Sequence, residues 1–164
     1  MFSGTIEDGI PKLRDKLPVT ARIYVACPTG ANGLSLHTRN ARIVATEFSK
    51  AFAARGVVAV TPPERTGNIQ DALGKAKAEN CDKVLFTRIL DWEYGDAGFS
   101  GVGGRDEVVL SAVLMDVETE RILYRARLYV NNGIGRSAAG GGTPEEAVAP
   151  VILKYVRSLF PPED

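Results

Sequence analysis

Arg121-Ile122-Leu123-Tyr124-Arg125-Ala126-Arg127-Leu128-Tyr129-Val130 is the stretch that decides the fold. Ile122, Tyr124, Ala126, Leu128 and Val130 alternate with Arg121, Arg125, Arg127 and Tyr129. A period of two is that of a strand with one face on a core and the other toward water. Residues 107–117 form a second apolar run, and only the polar spacer Glu118-Thr119-Glu120 divides the two. So short a connection joins antiparallel neighbours, so the pair is a hairpin.

Working upstream, three further strands are read at 21–26, 57–60 and 83–92, rich in β-branched and aromatic residues. The run 57–60 is continuously apolar, the pattern of a strand buried on both faces. Helices separate these strands. One starts between Ser35 and Thr38 and carries Ala41, Val44, Ala45, Phe48, Ala51 and Phe52 on one side, with Gly56 as its left-handed stop. Another is capped by Asn68, carries Ile69, Ala72, Leu73 and Ala76, and ends at Asn80. Downstream, Thr143-Pro144-Glu145-Glu146 has the cap, first-turn proline and capping-box order of a helix start. Val148, Val151, Ile152, Tyr155, Val156 and Leu159 follow at helical spacing, and Pro161-Pro162 stops the helix. Pro150 implies either a kink or a later start near Ala149. Residues 28–33, 95–104 and 131–142 read as glycine-bearing loops.

The element order is therefore β-α-β-α-β-β-β-α, an α/β (α+β) fold. Helical crossovers make the first three strands parallel, and the right-handed rule puts successive helices on opposite faces if the first strand lies between the second and third. The expected sheet is single, five-stranded and mixed, in the order 2-1-3-4-5, with helices on both faces. The last helix belongs over the hairpin on the first helix's side. That leaves the Arg121, Arg125, Arg127 and Tyr129 face of the fifth strand open. Residues 1–20, with Pro11 and Pro18, read as an extended or partly ordered N-terminal arm, and 21–164 as one domain.

The chain has 164 residues, 45% of them hydrophobic, and its 20 basic and 20 acidic side chains cancel. That balance gives no long-range field to steer it onto nucleic acid or an anionic membrane. Cys27 and Cys81 fall at opposite ends of neighbouring strands, beyond the ~7 Å Cα separation a disulfide spans, so both are expected as thiols. With one histidine, His37, and no paired cysteines, neither a metal nor another cofactor is expected.

Several constellations carry residue types suited to chemistry. Gly30-Ala31-Asn32-Gly33-Leu34-Ser35 runs from a strand to a helix start, where free N–H groups suit a phosphate. Its spacing matches neither glycine fingerprint for nucleotides. With Asp91 it makes Gly30, Asn32 and Ser35 candidate ligand residues at the carboxyl ends of the first and third strands. A hydrolase would need Ser35, His37 and Asp91 to converge. Asp91 and Glu93 share a strand face at the spacing of paired carboxylates, and Asp96 could extend them toward a hard cation. Arg88 and Arg105 nearby explain these acids more simply as ion-pair partners. Trp92, Tyr94 and Phe99 lie on or beside the glycine-rich loop, a composition suited to protein contact. No set makes a convincing active site, so the chain is read as a non-enzyme. Its interaction residues are Trp92, Tyr94, Phe99, Arg125, Arg127 and Tyr129.

Leu90-Asp91-Trp92-Glu93-Tyr94, then Phe99-Ser100-Gly101 and Arg105-Asp106-Glu107-Val108, resembles a family of uncharacterised bacterial lipoproteins. In that family a strand ends in a Trp-Glu pair and an Arg-Asp pair leads into a hairpin. Asp71 to Ala76, Asn80 to Leu85, Met115 to Thr119 and Thr143 to Phe160 extend the likeness. The topology is similar to the small α/β domain of the TolB N-terminal region and of the envelope lipoproteins CsgG, LpoB and PelC. The resemblance implies a periplasmic protein, anchored to the outer membrane by a lipid in its full-length form. It would act by protein–protein interaction or assembly, with another envelope protein or itself as partner. A native start at Met1 would instead imply the cytoplasm. The alternative function is a small-ligand or nucleotide-binding domain. Glu120 stands in the hairpin turn where the family usually has glycine.

Overall fold

The computed structural model describes residues 3–30, 38–62, 67–93, 107–131 and 144–163. The elements run β1 (Ser3–Asp8), β2 (Arg22–Val25), β3 (Thr29–Gly30), α1 (Thr38–Ala54), β4 (Val58–Val60), α2 (Ile69–Ala78), β5 (Lys83–Glu93), β6 (Glu107–Asp116), β7 (Ile122–Asn131) and α3 (Pro144–Ser158). One mixed sheet runs β1-β7-β6-β5-β2-β4, with the two-residue β3 also pairing β5. The five expected strands keep their expected neighbours: β2 pairs in parallel with β4 and β5, and β6 antiparallel with β5 and β7.

Three strand expectations are corrected. First, the arm is not merely extended: β1 pairs antiparallel with β7 from Gly4↔Val130 to Asp8↔Ala126. The hairpin therefore does not end the sheet. Ser3-Gly4-Thr5-Ile6-Glu7-Asp8 has a single large apolar residue, so its own pattern gives no strand signal. The open backbone edge of β7 supplies the hydrogen bonds instead. A Cβ on Gly4 would stand 2.5 Å from the Val151 Cβ, so the bare backbone of glycine lets β1 close on α3. The arm then crosses beneath the sheet, where Leu17 N donates to Leu159 O at 2.7 Å and Lys16 Nζ to Ser158 O at 2.6 Å. Second, β4 is not buried on both faces. It is the sheet's other edge, and Val58 is 55% exposed. Third, Thr29 and Gly30 are not loop: they continue alongside β5, opposite Arg88 and Ile89.

The helices divide between the faces. The whole α1 stripe named from sequence is buried, together with Val148, Val151, Ile152, Tyr155 and Val156 of α3 and Leu159 just beyond it. Both helices share one core cluster with Ile23, Val25, Leu85, Leu110, Leu114, Tyr124 and Leu128. At its centre the Tyr124 and Tyr155 rings stack, centroids 5.6 Å apart and 4° from parallel, and Phe48 meets Tyr155 edge-on at 6.0 Å. Among the described residues, the other face carries α2, whose Ala72, Leu73 and Ala76 pack on Tyr24, Val84, Phe86 and Met115.

Local signals explain the helix ends. Asn68 Oδ1 accepts from Asp71 N at 2.8 Å at the start of α2. Both α1 and α2 stop in a Schellman motif. Val57 N reaches back to Phe52 O (3.0 Å) and Gly56 N to Ala53 O (2.9 Å), with Gly56 at φ +80. Cys81 N and Asn80 N do the same to Ala76 O and Lys77 O, with Asn80 at φ 57. Helix α3 starts at Pro144 and contains Pro150, so the later start near Ala149 does not occur.

No disulfide joins Cys27 and Cys81, which belong to the clusters on opposite faces. Burial raises the Cys81 thiol, against the lowering influence of Arg22. Among the described residues, no helix is long and apolar enough to cross a membrane.

Candidate interaction surface

The site grows out of an irregularity in β5. Ile89 pairs with Leu110 and Asp91 with Val109, so Leu90 is passed over in a β-bulge. Strict alternation from Phe86 and Arg88 would bring Trp92 onto their face. One extra residue reverses the sides beyond it. Trp92 therefore stands opposite Val108 and packs, half-buried, against the core shared by α1 and α3. Asp91 crosses to the other face, level with Val109 and Tyr129. The bulge was invisible to a period-two reading of the sequence.

A second irregularity lies near the hairpin turn. Leu114 pairs with Tyr124 but Met115 with Ile122, so Leu123 is passed over. Ile122 consequently packs with the α2 cluster and Leu123 with the α1/α3 cluster. This corrects the assignment of Ile122 to the face of Tyr124. The turn is tied down by Asp116, whose Oδ2 accepts from Thr119 N (2.9 Å) and Thr119 Oγ1 (2.8 Å), while Lys83 Nζ approaches Oδ1 at 2.8 Å. Burial alone would raise the Asp116 carboxyl; the Lys83 and Thr119 hydrogen bonds outweigh it and hold the group below its ordinary range. Glu120 takes φ 60, in the left-handed region where the resembled family has glycine.

Beyond the reach of α2, no described helix packs over the upper face of β5, β6 and β7. Arg125 and Arg127 are exposed and Tyr129 is half-buried. The ladder sets them in rows. Arg127 lies between Glu7 and Ser111, and Ser111 lies opposite Arg88. Arg125 lies opposite Val113, which lies opposite Phe86. These residues, with Gly9, Ala112 and Ala126, line a shallow groove of about 410 Å³. The Tyr129 hydroxyl reaches Glu7 Oε1 at 3.5 Å. A second cleft, of about 620 Å³, lies under the arm between residues 11–18 and Lys83, Asp116 and Arg121 to Leu123.

The structure brings Arg125, Arg127 and Tyr129 together with Arg88 and Glu7. It puts Trp92 on the opposite face. Gly30 lies opposite Ile89, two residues from Asp91 along β5. Asn32, Ser35, His37, Tyr94, Phe99, Asp96 and Arg105 lie outside the described residues, as do both glycine-rich loops beyond Asn131 and Glu93. Arg88 and Glu7 complete the surface and were not singled out for it. The signal for Arg88 was present, since it alternates with Phe86 on a strand facing away from Leu85 and Ile89. Among the described residues, no group of three or more His, Cys, Asp and Glu could hold a metal ion.

No family model matches the chain, and no curated protein matches its sequence. Solved structures do match. The fold is that of a group of bacterial proteins including PelC, a protein of model family DUF330 and a lipoprotein. PelC from Paraburkholderia phytofirmans, solved as a dodecamer, superposes with a TM-score of 0.73 at 17% identity, over 98% of this chain and 100% of that one. Protein XCC0632 from Xanthomonas campestris follows at 0.58 and 14%, over 93% of each chain. Lipoprotein GNA1162 from Neisseria meningitidis gives 0.52 and 15%, over 85% and 99%. The PelC-like α/β domain implied by the Asp91-Trp92-Glu93 segment is thus the fold observed.

Proposed function

We propose that this chain is a non-catalytic assembly domain of the bacterial envelope. It works in the periplasm, carried by a lipid anchor in the full-length protein, and associates with copies of itself or with another envelope protein. The observation that carries the reading is the face of β5, β6 and β7 that no described helix covers, with Arg125 and Arg127 exposed and Tyr129 half-buried on β7 between β1 and β6. Such a sheet face is a docking surface available without unfolding anything. The fold shared with PelC, a dodecamer in its crystals, and with a lipoprotein supports assembly and an envelope setting. Trp92 at the end of β5, on the opposite side of the sheet, is the second proposed contact, and Tyr94 and Phe99 are assigned to it from the sequence alone.

Sedimentation velocity tests the reading. The wild-type chain is expected to run as an oligomer, alone or with envelope extract. Arg125→Glu/Arg127→Glu is expected to reduce that association at least tenfold with an unchanged circular dichroism spectrum. A wild type that stays monomeric and captures nothing from extract would sink the proposal.

A further inference from the structure

The cleft under the arm differs in chemistry from the open face. Gly9 N donates to Arg125 O at 2.7 Å and Arg125 N to Pro11 O at 3.0 Å, and the arm is next tied where Leu17 N meets Leu159 O. Between these ties residues 12–15 make no backbone hydrogen bond to another described residue, so they cross as a strap held at both ends. The cleft, about 620 Å³, lies between this strap and the near ends of β5, β6 and β7, within the range of roughly 300–1,000 Å³ typical of small-molecule pockets. These three strands leave the described residues at their far ends, at Glu93, Glu107 and Asn131. Leu13, Leu17 and Leu123, which also pack with the α1/α3 core, give the cleft apolar walls. Set into them is the Lys83–Asp116 pair, whose side chains are only 18% and 19% exposed. Asp116 is engaged on both oxygens: Oδ1 by Lys83, Oδ2 by Thr119 N and Thr119 Oγ1. An ammonium carries three donors, and Lys83 spends a single one on a described residue. At the mouth, Lys12, Arg14 and Arg121 are exposed, and Lys16 spends one donor on Ser158 O. Asp15, exposed on the strap, is the one other acid among the described lining residues. In the neighbouring turn Glu120 is held by Lys77.

We infer that this cleft binds a small amphiphilic anion, a carboxylate or phosphate head on an apolar body. The head follows from what the sheltered ion pair leaves unspent. Its acid is used up and its ammonium is not, so the polar capacity inside the cleft is that of a donor and takes an acceptor. A charged acceptor makes the stronger bond there. A cationic head would find the one sheltered acid already paired. The body follows from the leucines, which take apolar surface out of water and offer nothing to a compact inorganic ion. The strap supplies walls on one side and the strands supply them on the other, so a bound molecule is held between Leu13 and Leu123 with its head toward Lys83. The inference does not rest on the docking role of the open face, whose Arg125 and Arg127 do not line this cleft.

Isothermal titration calorimetry of the whole chain with decanoate and with decyl phosphate, each below its micelle concentration, tests it. Saturable binding near one molecule per chain is expected for at least one of them, and the tighter of the two names the head the site takes. Decyltrimethylammonium, which has the body without the anion, and acetate, which has the anion without the body, are expected not to bind. Lys83→Met should weaken binding about tenfold, the scale of one lost hydrogen bond to a charged group. Lys12→Gln/Arg14→Gln/Arg121→Gln, all at exposed positions, should weaken it several-fold, and Leu13→Trp, which fills the cleft, should abolish it. Arg127→Gln on the open face should leave it unchanged. Lys83→Met also strips Asp116 of its partner; if its circular dichroism spectrum departs from wild type, Leu13→Trp and the triple variant decide. No saturable binding of either anion, equal binding of decyltrimethylammonium, or unchanged binding in a folded Lys83→Met or in Leu13→Trp would each overturn the inference.

Discussion

The two faces of the β6–β7 hairpin differ sharply although the same strands make both. Toward α1 and α3 the hairpin presents Leu110, Leu114, Tyr124, Ala126, Leu128 and Val130, all buried. Toward the other side it presents Ser111, Arg125, Arg127 and Tyr129 at or near the surface. Backbone hydrogen bonding is common to both, so the contrast comes from side-chain alternation and from the supply of helices. Two helices pack on the first face, while α2, ten residues long, covers only the β2 and β5 side of the second. The closed face carries the stability and the open face is available for contact.

The largest test of that contrast pits neighbours on one strand against each other. Leu128 is fully buried, and Leu128→Ala should cost about 2–5 kcal/mol through lost transfer energy and the cavity left behind. Arg127→Ala, one residue away on the open face, should change stability by less than about 0.5 kcal/mol. Urea unfolding of both variants gives the difference directly. Comparable losses would mean that the open face is held by something the structure does not display.

How much of this was legible beforehand follows from the same alternation. The period of two over 124–130 and the 3.6-residue stripes at Ala41–Phe52 and Val148–Leu159 were legible. They record which side chains leave water, and crossover handedness set α1 and α2 on opposite faces. Four features left no such trace. The bulge at Leu123 sends Ile122 to the α2 face. Strand β1 is recruited by the edge of β7 and not by its own apolar residues. The bulge at Leu90 inserts one residue without changing composition, yet it moves Trp92 into the core and Asp91 onto the open face. Edge strand β4 reads like a buried one because its three residues are all apolar. The Arg125, Arg127 and Tyr129 part of the surface was readable because it lies on a regular strand, whereas the Trp92 part depended on the bulge.

A smaller effect sharpens the contrast from inside the closed face. The Tyr155 hydroxyl is buried with no hydrogen-bond partner among the described residues, while Tyr124, stacked on it, donates to Asp8 at the end of β1. Removing the orphaned hydroxyl in Tyr155→Phe should raise stability by about 1 kcal/mol. Both tyrosines have raised pKa values, Tyr155 from burial and then the neighbouring Tyr124 and Asp8, Tyr124 from burial and then its bond to Asp8. A raised value means that the folded chain keeps a proton the unfolded chain releases. Stability is therefore full below the ordinary tyrosine value of 10.0 and falls as pH rises past it. Tyr155→Phe should shift alkaline unfolding to higher pH. An unchanged alkaline midpoint would show that Tyr155 ionisation does not drive it.

The smallest effect concerns the turn that determines which side chains reach which face. Glu120 occupies the left-handed region at φ 60 and compensates through an ion pair with Lys77 at 2.8 Å. The strain costs a non-glycine residue about 1 kcal/mol. The pair, with both side chains about half exposed, returns less than that. Glu120→Gly loses the pair but relieves the strain, and should gain about 0.5 kcal/mol despite its more flexible unfolded state. Glu120→Ala loses the pair and keeps the strain, so it should lose about 0.5 kcal/mol. The gap of about 1 kcal/mol between the two variants isolates the backbone term, because both remove the same carboxylate. If glycine and alanine are equivalent here, the turn is not strained at Glu120. The register that sends Arg125 and Arg127 outward would then be held by Asp116 and its bonds to Thr119 and Lys83.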